Sequence, residues 1–139
     1  MLLLSGLVLV GCGPSRQAQC LALFDTIQAA DDQRILGDPS RAAILENAQI
    51  YDNLAAELQT LELRDATLVD YRDQFVGGYQ AIAQAMRDRA EVVDEDGTYG
   101  YIAGDTAAEQ TFNTLQTNEQ RAHNRVITTL ELYGSYCAR

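Results

Sequence analysis

The chain contains no lysine: all ten basic residues are arginines, set against twenty Asp and Glu for a formal net charge of −10. Nucleic-acid affinity comes largely from cationic phosphate contacts, so an acidic chain without a basic cluster is expected to have no nucleic-acid partner. Its surface should not adhere to anionic lipid either, and a membrane location would need a covalent anchor. Histidine is nearly absent as well. His123 is the single one, which removes most catalytic triads and multi-His metal sites. The sequence has no Gly-x-Ser-x-Gly, no His-Glu-x-x-His and no Glu-x-x-His, the patterns that mark nucleophile elbows, zinc proteases and di-iron bundles. It also lacks Cys-x-x-Cys. Gly97, Gly100 and Gly104 are spaced unlike a dinucleotide fingerprint, and no strand precedes them. An EF-hand built on Gly97 as its sixth residue would need carboxylates at Val92 and Ala103, and has none. No catalytic residue, no metal ligand and no cofactor is expected from these patterns.

What is present begins with a short apolar run that ends in Leu9-Val10-Gly11-Cys12 and is followed by Gly13-Pro14-Ser15. The run is too short to cross a hydrocarbon core of ~30 Å as a helix. It resembles the lipobox of bacterial lipoproteins, in which a signal peptide is removed in front of a Cys that carries a diacylglyceryl group. It departs from that pattern at one point, since no Lys or Arg precedes Leu2. The resemblance implies a signal over residues 1–11, lipidated Cys12 with a linker over 12–15, and one folded domain over 16–139. It also implies a lipid-anchored protein of the bacterial cell envelope facing the periplasm. Gly13 rather than Asp after the lipidated Cys favours the outer membrane, by resemblance to sorting rules. Cys20 and Cys137 remain, and in an exported protein two such cysteines suggest one disulfide, with two free thiols as the alternative.

Helical periodicity runs through the rest of the chain. Cys20, Leu23, Phe24 and Ile27 form an apolar stripe that predicts helix over 15–36, closed by Gly37. Asp38-Pro39 reads as a cap and first residue for a helix over 39–60, with Ile44, Ala48, Tyr51, Ala55 and Leu58 on its inner face. Asp65 caps a helix over 66–93 whose stripe includes Leu68, Phe75, Tyr79, Ile82 and Met86. Gly77-Gly78 in its middle costs ~1 kcal/mol per Gly relative to Ala and suggests close packing or a kink. Thr106-Ala-Ala-Glu109 reads as a capping box opening a helix to Cys137. The expected fold is all-α: an antiparallel up-down-up-down four-helix bundle, which brings Cys20 and Cys137 to the same end.

Two groups of residues are candidate sites. With Cys20 opposite Cys137, Arg34 falls near His123 and Asp31 near Val126, predicting a polar seam of Asp31, Arg34, Glu119 and His123. Buried charges are costly unless paired, so a salt-bridged seam is the first reading and a ligand or metal site the second. The far end of the bundle carries Asp94, Glu95, Asp96, Tyr99 and Tyr101. Tyrosines give large contact area at low entropy cost and acids steer a basic partner, so this loop is the candidate docking surface for a protein. The layout as a whole resembles small helical lipoproteins of bacterial envelopes. The matching features are the lipobox, a Cys near each end of the domain's sequence, and Leu58-x-x-Leu61-x-Leu63-x-Asp65-x-x-Leu68 leading into Tyr71 and Phe75. The resemblance implies an envelope location and brings no activity with it; the bundle, the tether and the missing catalytic patterns lead to the expectation of a non-enzymatic protein with an interaction or structural role.

Overall fold

The computed structural model describes residues 13–99 and 105–139; the expected signal over 1–11, Cys12 and Tyr101 lie outside them. Four α-helices make up the described fold: α1 (Arg16–Asp31), α2 (Arg41–Thr60), α3 (Ala66–Ala90) and α4 (Thr106–Cys137). Each is started by a side chain that accepts from an otherwise unpaired backbone N–H of the first turn. Ser15 accepts from Ala18, Ser40 from Ala43, Asp65 from Leu68, and Asp105 from both Ala107 and Ala108. Two caps therefore differ from expectation. Ser40 rather than Asp38 starts α2, while the Asp38 carboxylate accepts from the Ser40 N–H instead. Asp105, one residue before the expected capping box, starts α4.

The first helix also stops short of Leu36. Asn47 of α2 both accepts from the Ile35 N–H and donates to the Ile35 carbonyl, each at 2.9 Å. That pair pulls the chain out of helical hydrogen bonding and leaves 34–36 as a connector. Similarly, α3 ends at Ala90 rather than Val93, which is buried outside the helix in an isolated bridge to Tyr99.

Helix directions alternate, as two sets of end contacts establish. At one end the start of α1, the α2–α3 turn and the end of α4 converge. The Cys20–Cys137 disulfide joins α1 to α4 with a Cα–Cα distance of 6.0 Å. At the other end the Arg41 N–H donates to the Glu95 carbonyl, and Gly97 sits against the Pro39 carbonyl so closely that a Cβ would collide with it. Gly97 has φ 81°, a conformation that glycine adopts without strain.

The core follows α3. Phe75, Leu68 and Ile82 are fully buried, as are Leu23 of α1 and Leu58 of α2. Tyr71, Phe75 and Tyr79, one turn apart, make an aromatic column. Tyr133 packs edge-on to Phe75 at 5.7 Å, and Tyr51 stacks on Tyr79 at 5.6 Å. The glycine pair divides into two roles. A Cβ on Gly78 would lie 2.6 Å from Val126 Cγ2, so its missing side chain sets the close approach of α3 and α4. Gly77 faces open space. No described helix is long and apolar enough to cross a membrane.

Candidate functional site

The base of the bundle is fastened by polar groups as well as by the disulfide. Gln19 is buried at 5 % exposure. Its side-chain N–H donates to the Pro14 carbonyl at 3.0 Å, while its oxygen accepts from the Arg64 and Asp65 N–H groups. The Tyr133 hydroxyl donates to the Cys20 carbonyl and the Tyr136 hydroxyl to the Asp65 carboxylate. The bonds that Asp65 accepts, first from the Leu68 N–H and then from Tyr136, hold its carboxyl below its usual range. The linker at Pro14 is thus tied through Gln19 to the turn between α2 and α3.

Above this clamp, α1 and α4 part and leave a cleft of about 340 Å³. Ile27 and Asp31 of α1, Arg34 of the connector, and His123, Val126 and Leu130 of α4 form its sides. Tyr51 of α2 with Tyr79 and Ile82 of α3 form its floor. Phe24 and Ile127 line it too, at 50 % and 51 % exposure. Phe24 was expected in the core stripe of α1; the gap between α1 and α4 leaves it half in solvent.

Of the four seam residues Asp31, Arg34 and His123 line the cleft and Glu119 lies beside it, and no pair among them joins α1 or its connector to α4. Arg34 Nη1 bonds Asp31 at 2.6 Å, within the end of α1 and its connector. The Arg34 guanidinium also lies over the Tyr51 ring, 5.7 Å from its centroid. Glu119 is 4.0 Å from His123 Nε2, one turn along the same helix. Its nearer partner is Arg89 of α3, with Nε at 3.1 Å. That Nε is buried without a well-formed hydrogen bond, so the Arg89–Glu119 contact is one of charge and not of directed bonding. Burial pushes the His123 imidazole below its ordinary pKa; Glu119 opposes this, and Arg34 and Arg89 reinforce it. A cleft flanked by pairs thus stands where a continuous salt-bridged seam was expected. Arg89 was missed from sequence because its partner lies on a neighbouring helix.

Two tyrosine hydroxyls are left over. Tyr51 and Tyr79 are each 5 % exposed and line the cleft. Unlike Tyr133, Tyr136 and Tyr99, they donate to no group among the described residues. Burial raises both phenols above their ordinary pKa, Tyr79 strongly. Both therefore remain O–H donors across the physiological range, on residues that line the cleft.

The distal loop is an ordered connector. Tyr99 donates to the Ala108 carbonyl and packs on Phe112 at 4.6 Å, so its ring is half-buried instead of projecting. Asp96 accepts from the Thr98 N–H and hydroxyl, and Asp94, Glu95 and Asp96 are exposed. A second, shallower groove of about 610 Å³ runs between α3 and α4 past Gly77, Arg121 and Arg125. Its buried hydroxyl, Thr129, is already bonded to the Arg125 carbonyl. Among the described residues no three His, Cys, Asp or Glu side chains are grouped to hold a metal. Comparison of the chain with protein-family models, with curated proteins and with solved structures found no match to any of them.

Proposed function

We propose that the chain is a lipid-tethered protein of the bacterial envelope that acts by binding, not by catalysis, and that the α1–α4 cleft is its binding site. One observation carries the choice of site. The Tyr51 and Tyr79 side chains are buried except where they line the cleft, and their hydroxyls make no bond to the described chain. Hydroxyls at the wall of a cleft, with no partner on the chain, are available to a group supplied from outside. Pockets of this kind, mostly apolar with a few convergent polar groups, are where small molecules bind. The tether rests on the lipobox resemblance at Leu9–Cys12 and suits the clamped base, where Pro14 is held by Gln19. An outer-membrane location facing the periplasm follows from Gly13 under the same resemblance.

The site is tested with the apolar dye 1-anilinonaphthalene-8-sulfonate on the full-length chain carrying Cys12→Ser. One dye molecule should bind per chain, and Ile127→Trp, which fills the cleft, should abolish the fluorescence gain. Undiminished dye binding in that variant would place the site elsewhere. The tether is tested by palmitate labelling, which should disappear with Cys12→Ser.

Protein contact through the distal loop is the second reading. It is favoured by the exposed carboxylates of Asp94, Glu95 and Asp96 on a loop pinned to the start of α2. The pinned loop holds its charges in place, which lowers the ordering cost of docking.

A further inference from the structure

We propose that the α1–α4 cleft takes a small amphiphile with one carboxylate, its head bound by the Tyr51 and Tyr79 hydroxyls and the Arg34 guanidinium and its apolar body lying along Ile27, Val126 and Ile127. The proposal rests on the cleft being a ligand site and adds the chemistry of the ligand. The polar end of the cleft is rich in donors. Two phenolic O–H groups are free, and Arg34 uses Nη1 on Asp31 while its other N–H groups make no bond to the described chain. Guanidinium stays charged at any physiological pH and presents several donors in one plane, a geometry that suits a carboxylate. A ligand head that accepts hydrogen bonds fits; an ammonium would meet donors with donors.

The local charge balance limits how much negative charge the head can carry. Asp31 is matched by Arg34, and Glu119 is matched by Arg89. The four charges cancel, so a single carboxylate is held by hydrogen bonds without a surplus cation. A phosphate-like dianion would be repelled by Asp31 and Glu119 about twice as strongly as a single carboxylate, with no surplus cation to offset it. A divalent cation would need carboxylates that are already paired.

The rest of the cleft is hydrocarbon. Ile82 is buried beneath it, and Val126 and Leu130 form one side. At the rim, Phe24 and Ile127 leave half their surface in water, which an apolar body would cover. At about 340 Å³ the space lies near the lower bound of ~300–1,000 Å³ for ligand pockets. A medium-length chain or single aromatic group fits it better than a long acyl chain.

Isothermal titration of the full-length chain carrying Cys12→Ser with decanoate, and separately with decanamide, tests this directly. Decanoate should bind one to one, and decanamide, with the same apolar body and no charge, roughly tenfold or more weakly. Tyr79→Phe keeps the stacked ring and removes one donor, and should weaken decanoate about tenfold while the thermal midpoint stays level or rises. Arg34→Gln, at a partly exposed position, should weaken decanoate similarly and decanamide little. Equal affinities for the two probes would overturn the carboxylate assignment and leave the cleft standing as a ligand site. Dye binding without binding of either probe would do the same. Absence of all three, dye included, would remove both readings. Unchanged decanoate affinity in Tyr79→Phe would show that the head does not lie at the tyrosines.

Discussion

Replacing both Cys20 and Cys137 with alanine removes the one covalent link between the first helix and the last. The bond spans 117 residues of sequence, and the chain-entropy treatment of a loop that long gives about 4.9 kcal/mol of lost stability at 25 °C. With an unfolding entropy of ~2.1 cal/mol/K per residue, that corresponds to a fall of roughly 15–20 °C in the midpoint. Residual structure in the unfolded chain makes this an upper figure. The loss should not fall evenly on the helices. α1 buries four residues, Gln19, Cys20, Leu23 and Ala30, whereas α3 buries ten. Of the four, only Leu23 is a large apolar side chain, worth ~2 kcal/mol when fully buried. Without the bond, α1 is the element held least firmly, and the cleft loses one side when it swings away. Calorimetry measures the midpoint, and amide hydrogen exchange shows where protection disappears first, with α1 expected to lead. A midpoint lowered by less than about 3 °C with α1 amides still protected would refute the reasoning, because packing alone would then hold the helix.

Other substitutions separate roles that adjacent or similar residues share. Gly77→Ala should stabilise by about 1 kcal/mol, since a helical glycine is replaced where nothing obstructs a Cβ. Gly78→Ala should instead destabilise by about 1–3 kcal/mol through collision with Val126; chemical denaturation of the two variants distinguishes them, and equal effects would contradict the packing assignment. His123 has its pKa depressed by burial. Between that folded value and ~6.5 the unfolded chain binds more protons, so its contribution is full above ~6.5 and is lost as pH falls through this window. His123→Gln should flatten this part of the stability profile in thermal melts from pH 7.5 to 5, and an unaltered slope would assign the loss to other groups.

The helical periodicity, the cap at Asp65, and the position of the two cysteines were readable from the chain because each depends on neighbours within a turn or two. Spacings of three and four place Leu68, Phe75, Tyr79 and Ile82 on one face whatever they pack against. The common end for Cys20 and Cys137 then follows from alternating directions and short connections. What the sequence could not determine was how far apart two aligned helices stand. Periodicity and the disulfide register put Asp31, Arg34, Glu119 and His123 at neighbouring heights, but whether they meet depends on the separation of α1 from α4. That separation is set by Gly78 drawing α4 onto α3, by Asn47 ending α1 at the connector, and by a disulfide that joins α1 to α4 only at the base. Likewise, five tyrosines on inward faces look alike in sequence. Only the tertiary structure gave Tyr133 and Tyr136 their acceptors and left Tyr51 and Tyr79 opening into a cleft, because a hydroxyl's partner comes from whichever helix lies opposite, and periodicity along one helix carries no information about that.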